Sequence, residues 1–129
     1  MTVLDFSPYS SLSREKILHQ VRSQMSQRRF EHCLRVEKKI IELATLYGAD
    51  VTKASLAALI HDYAKERPLE ELQELVVKKQ LSEQLKNQSS EILHGPVGAE
   101  ILKEELDIQD EEILDAIREH TIGGTKMTL

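Results

Sequence analysis

Five residues in this 129-residue chain have side chains suited to holding a metal ion at one place: His32, His61, Asp62, His94 and His120. Imidazole nitrogens combined with a carboxylate suit iron, manganese or zinc, whereas calcium prefers an oxygen shell. A lone buried His is most often a satisfied core residue, and a His-Asp dipeptide is common by chance. The order His, His-Asp, His, His at wide intervals is a more specific constellation. An ion held this way would lower the pKa of a bound water. His19 belongs to no motif and reads as a surface or core-edge residue.

These side chains need helices to carry them. Ser13 is a helix cap with Glu15 in the first turn, and Ile17, Leu18, Val21 and Met25 mark one face. A second helix follows Ser26. There Cys33, Val36, Ile40, Leu43 and Tyr47 recur at spacings of three and four, and Gly48 stops it. Asp50 caps a third helix that buries Leu56, Leu59 and Ile60 and runs to about Lys65. Neighbouring helical residues point about 100° apart, so His61 and Asp62 straddle the rim of a cleft. "LEELQELVVKKQ" is the next helix after Pro68, and "LSEQLKNQSSEILHG" is a broken helix or loop. Pro96 opens a helix just after His94, where backbone N–H groups favour anions. Asp110 caps the last one, ended by His120 and Gly123-Gly124. The expectation is an all-α bundle of six or seven helices without a sheet, with residues 1–12 as a loosely ordered leader and residues 13–129 as one domain.

Composition narrows the function classes. A net charge of −5 and only 4% aromatic residues disfavour a nucleic-acid surface built on phosphate contacts and base stacking. One cysteine, Cys33, suits a reducing compartment. No apolar run is long enough to span a bilayer, and the first residues lack the pattern of a signal peptide. A cytoplasmic protein is expected, with no membrane partner.

The segments "RRFEHCLRV", "ALIHDYAKE", "LHGPVGAEIL" and "AIREHTIGGTKM" resemble the HD superfamily of metal-dependent phosphohydrolases. More closely, they are similar to the YqeK family, symmetrical bis(5'-nucleosyl)-tetraphosphatases that split diadenosine tetraphosphate into two ADP. The resemblance covers roughly Arg28 to Met127, most of the chain. It implies an HD-domain helical bundle in which His32, His61 and Asp62 hold the metal. Arg29 would contact phosphates, and Asp62, Tyr63, Ala64 and Lys65 would line the nucleotide site, with Tyr63 stacking on a base. His94, His120 and Thr121 would face the phosphates, the two histidines also being candidates for a second metal. Asp62, Lys65, His94 and His120 would be the catalytic set. The implied cofactor is a divalent metal, iron first, with manganese, cobalt or zinc as alternatives. The implied partners are a dinucleoside polyphosphate or ADP and a second copy of the chain as a homodimer.

The chain also departs from that pattern. In the family the turn after "EHTIGG" leads into a further helix bearing a second Asp ligand, and this sequence stops at Leu129 before it. The expectation is therefore a C-terminally incomplete domain, a fragment or a natural short form, with weakened metal affinity and an exposed apolar patch. Two other readings stay open: a catalytically weak or inactive nucleotide-binding or regulatory module, and an HD phosphohydrolase for another nucleotide.

Overall fold

The computed structural model describes residues 5–121. Among them are seven α-helices, one 3-10 turn at Glu83–Leu85 and no strand. The helices are α1 (Arg14–Ser23), α2 (Gln27–Tyr47), α3 (Val51–Ile60), α4 (Leu69–Lys78), α5 (Ser90–Leu93), α6 (Pro96–Glu105) and α7 (Glu111–Glu119). The expected all-α fold is thus observed.

Local chemistry sets most of the boundaries. Ser13, Ser26, Asp50 and Asp110 each accept a hydrogen bond from a backbone N–H in the first turn of the helix they precede. Such a bond satisfies one of the orphan donors at a helix start. Gly48 ends α2 in the left-handed region at φ 69°, a conformation that strains residues carrying a Cβ.

α3 sits at the centre. Ser55, Leu56, Ala58, Leu59 and Ile60 are buried along its short length, the pattern of a helix covered on most sides. It packs against α1, α2 and α7, and α6 packs against α4, α5 and α7. One apolar cluster joins Ile17 and Val21 of α1, Leu72 and Val76 of α4, Val97 and Leu102 of α6 and Ile113 and Ile117 of α7.

Two expectations change. Residues 5–12 are not a loose leader: Phe6 is buried in the core, Ser10 donates to the Leu106 carbonyl at 2.5 Å, and Tyr9 donates to Asp50 at 2.8 Å. The large ring of Phe6 removes apolar area from water and so fixes the segment. In α2 the buried positions are Phe30, Cys33, Glu37 and Ala44, while Leu43, Leu46 and Tyr47 are exposed. Of the Cys33–Val36–Ile40–Leu43–Tyr47 stripe, Cys33 is buried, Val36 and Ile40 are half-buried, and Leu43 and Tyr47 are exposed, so the core face is turned partly away from it. Glu37 sits inside it because Arg14 pairs with both of its carboxylate oxygens at 2.6 and 3.0 Å and Ser55 donates to it at 2.5 Å. The expected stop at Gly123-Gly124 lies outside the described residues.

Candidate metal centre

The His61-Asp62 pair is not inside a helix. α3 ends at Ile60, with His61 as its C-cap. The chain then closes a run of tight turns: Tyr63 N–H donates to Ile60 O, Lys65 N–H to Asp62 O and Arg67 N–H to Ala64 O, all at 3.0–3.1 Å. These bonds span three residues rather than four, which tightens the coil and re-aims successive side chains. The helix predicted to reach Lys65 thus stops short, and the turn presents Asp62 inward.

The turn is held from behind. Tyr63 is fully buried, donating its hydroxyl to Glu105 at 2.7 Å and accepting from Gln20 at 3.1 Å. Arg67 reaches Glu105, Glu71 and Gln24. Ala64 is buried too, opposite Gly98 of α6. Tyr63 and Ala64 therefore anchor the turn in the core. A ring with no exposed face has none to stack on a base. Glu105, Gln20 and Arg67 were not anticipated; polar residues on separate helices carry no spacing that would reveal their convergence.

Asp62 is the hub. It is buried, and its Oδ2 lies 3.2 Å from Arg29 Nη1 and 3.3 Å from His61 Nε2. Its Oδ1 lies 3.3 Å from His94 Nε2 and 3.7 Å from His120 Nε2. Two groups of convergent ligand atoms result, His32–His61–Asp62 and Asp62–His94–His120, each with its atoms within 4.8 Å of one another. Asp62 belongs to both. His32 comes from α2, His94 from the end of α5, and His120 from the end of α7. His94 caps the short α5 rather than opening α6, so its ring packs inside at 4% exposure.

Three of the histidines are oriented alike. Nδ1 of His61 lies 2.6 Å from Ala58 O, Nδ1 of His94 3.1 Å from Ser90 O, and Nδ1 of His120 2.6 Å from Ile117 O. A carbonyl oxygen can only accept, so each Nδ1 is the protonated nitrogen and each Nε2 is directed at the centre. This is the outer support a metal-ligating His requires. The Nε2 atoms of His94 and His120 stand 3.1 Å apart. Two neutral imidazoles in these tautomers would face lone pair to lone pair, so a proton or a cation belongs between them. The donor set of nitrogen with one carboxylate fits a divalent transition metal.

The electrostatics agree. Without a metal, burial alone would raise the Asp62 carboxyl, but Nε2–H bonds from His120, His61 and His94, made when these rings carry a second proton, outweigh it and hold it well below the usual carboxylate range. Burial opposes a charge on His61, yet the hydrogen bond and charge of Asp62 raise its pKa above the ordinary 6.5. Cys33, next to His32 in sequence, is buried, and burial pushes its thiol up to about 11.

The remaining candidates sit around this centre. The Arg29 side chain is 31% exposed at its rim. Lys65 is half-buried on the turn. Thr121 donates its hydroxyl to Ile92 O at 2.5 Å, so it is engaged with backbone rather than pointing freely at a phosphate.

Comparison with known proteins gives a consistent picture. The symmetrical bis(5'-nucleosyl)-tetraphosphatase of Bacillus subtilis (strain 168) is 43% identical over 118 residues, which cover 92% of this chain and 63% of that protein. The protein of the same name from Staphylococcus aureus (strain NCTC 8325 / PS 47) is 40% identical over 114 residues, covering 88% and 59%. The crystal structure of a "predicted HD superfamily hydrolase involved in NAD metabolism" from Clostridium acetobutylicum superposes with a TM-score of 0.82 at 33% identity, covering 92% of this chain and 63% of that one. The chain thus spans less than two thirds of the length of each. The sequence profile described as HD domain matches residues 29–128, a stretch that contains every ligand of the centre, and the chain belongs to the HD-domain family.

Proposed function

We propose that this chain is a metal-dependent phosphohydrolase that cleaves diadenosine tetraphosphate symmetrically into two ADP. The observation that carries the reading is the shared orientation of His61, His94 and His120, whose Nδ1 atoms are fixed on backbone carbonyls while their Nε2 atoms surround Asp62. The names of the relatives from Bacillus subtilis and Staphylococcus aureus support the substrate.

His32, His61 and Asp62 would hold the metal, with iron the first choice and manganese, cobalt or zinc as alternatives. When bound, the metal supplies an activated water and Lewis acidity toward a phosphoryl oxygen. The chain's own residues do the rest. Arg29, next to Asp62 at the rim, supplies a fixed cation for the polyphosphate, and Lys65 supplies a second. His94 and His120 either hold a phosphate oxygen through a shared proton, donate that proton to the departing ADP, or take a second ion. Helix burial behind Tyr63 keeps Asp62 from retreating when the anion arrives. Thr121, also named on resemblance, acts by bracing the end of α7 behind His120.

The decisive experiment combines metal analysis of the purified chain with product analysis. Two ADP per diadenosine tetraphosphate, with metal bound, is the expected result. ATP plus AMP, or no cleavage by metal-loaded protein, would sink the reading. One further observation favours a second reading. Among the described residues both ligand groups draw on a single carboxylate, Asp62, which favours loose metal retention and a nucleotide-binding module without turnover. Binding of the dinucleotide with no ADP released would identify that module. Faster release from a deoxynucleoside triphosphate or a cyclic dinucleotide would instead identify another substrate.

The same proposal places the enzyme in the cytoplasm, acting on a small anion rather than on nucleic acid, in keeping with its charge of −5. Among the described residues no helix is long and apolar enough to cross a membrane. A homodimer is part of the proposal. The exposed Leu43, Leu46 and Tyr47 of α2 supply apolar surface for a second copy, and light scattering on the purified chain tests it.

A further inference from the structure

We infer that Gly95 and Thr121 are positioning residues that set the spacing between His94 and His120. Each directly follows one of the two histidines in sequence. The joint between α5 and α6 runs hard against the last turn of α7. A Cβ built on Gly95 would overlap Thr121 Oγ1 and would stand 2.8 Å from Ile117 O and 3.0 Å from Arg118 O. The backbone of Gly95 is ordinary, at φ −77° and ψ −68°, so the glycine is required for space and not for conformation. Two of the three atoms it meets are backbone carbonyls, which cannot swing aside as a side-chain tip can.

Thr121 closes the same contact from the other side. Its hydroxyl donates to Ile92 O at 2.5 Å, tying the end of α7 to α5, which carries His94. The two rings then meet edge-on, with centroids 4.9 Å apart and Nε2 atoms 3.1 Å apart. Gly98, one turn further along α6, differs in kind. Its added Cβ would lie 3.4 Å from Ala64 Cβ, an ordinary contact.

The inference rests on the metal-centre reading. It predicts that Gly95→Ala wedges α7 away from the joint and opens the His94–His120 pair, while the ligands on α2 and the 61–67 turn stay in place. The test is titration of the metal-free full chain with cobalt(II), followed by visible absorption and calorimetry. Gly95→Ala and Thr121→Val should each lose at least about tenfold in cobalt affinity at the Asp62–His94–His120 group, the scale of removing a group that orients a ligand, while cobalt binding at His32–His61–Asp62 is unchanged. They should also lose the absorption component that His120→Ala removes. Thr121→Ser should restore it, and Gly98→Ala should match the unmodified chain. Circular dichroism identifies a Gly95→Ala protein that fails to fold, in which case the Thr121→Val and Thr121→Ser pair decides. Unchanged cobalt spectra and affinity in Gly95→Ala and Thr121→Val would overturn the clamp alone. Absence of cobalt binding by the unmodified chain would remove the metal-centre reading and the clamp with it.

Discussion

The Oδ1 atom of Asp62 lies 3.3 Å from Nε2 of His94, while its Oδ2 atom faces His61 and Arg29. One buried carboxylate therefore joins ligands from both ends of the chain. Replacing it should disable both ligand groups at once. Asp62→Asn keeps the shape but removes the charge and substitutes an amide N–H₂ on one side. Metal affinity should fall by well over about tenfold, and metal analysis of the purified variant should find none. The variant retaining near-normal metal content would refute the hub assignment.

Acidification should release the metal. His61 has a raised pKa, set by Asp62 against the opposing effect of burial. Protons therefore compete for its Nε2 beginning above the ordinary 6.5. Metal affinity should fall by roughly tenfold per pH unit for each proton displaced. In the metal-free protein the sign reverses. Stability from charged His61 is complete below 6.5 and is lost as pH rises through its raised value. Asp62, with its lowered pKa, contributes a constant amount above 3.8. Melting of the metal-free chain should thus drop as pH rises above the ordinary 6.5 and through the raised value of His61, and His61→Ala should flatten that drop.

Tyr63 separates anchoring from substrate contact. Its ring is buried, and its hydroxyl bridges Gln20 and Glu105. Tyr63→Phe leaves the packing and removes the bridge, so stability should fall by about 1 kcal/mol in urea melts. Nucleotide affinity should stay unchanged. Tyr63→Ala should cost about 3–5 kcal/mol through the cavity it leaves. A base-stacking Tyr63 would instead keep nucleotide affinity in the Phe variant, which retains the ring, and lose it in Tyr63→Leu, which keeps apolar volume but has no ring to stack.

What the sequence made legible follows the range of the interactions involved. Helix caps at Ser13, Ser26, Asp50 and Asp110 were readable because each bond closes within one turn. The expected ligands converge because their residue types are selective and their order is distinctive. The end of α3 was not readable, since Ala64 and Lys65 favour helix and only the burial of Tyr63 and Ala64 turns the chain. The face of α2 was only partly readable for a related reason: apolar periodicity selects Cys33, Val36, Ile40, Leu43 and Tyr47, of which Cys33 is buried, but the buried positions also include a glutamate whose partners lie on α1 and α3. The need for Gly95 is likewise invisible until α7 lies against it.

Arg29 should act on the anion more than on the ion. Its guanidinium is partly exposed and meets Asp62 through a single 3.2 Å contact, with Glu66 further off at 3.9 Å. Arg29→Gln keeps a polar side chain but removes the charge. The polyphosphate should bind roughly tenfold more weakly, a loss of about 1.4 kcal/mol, and the salt dependence of binding should become shallower. Metal content should hold, because Arg29 offers no ligand atom.

Glu37 ties three helices together outside the site. It is buried in the wall between α1, α2 and α3, bonded by Arg14 through two nitrogens and by Ser55. Glu37→Ala would leave the Arg14 charge and the Ser55 hydroxyl without their partner. Removing one member of a buried pair costs about 3–5 kcal/mol; Arg14 is partly exposed and can recover some hydration, which places the loss near the lower bound. The double variant Arg14→Met with Glu37→Leu removes both charges together and should recover much of that loss. Equal destabilisation of the single and double variants in denaturant melts would show that the pair, rather than the orphaned charge, holds these helices together.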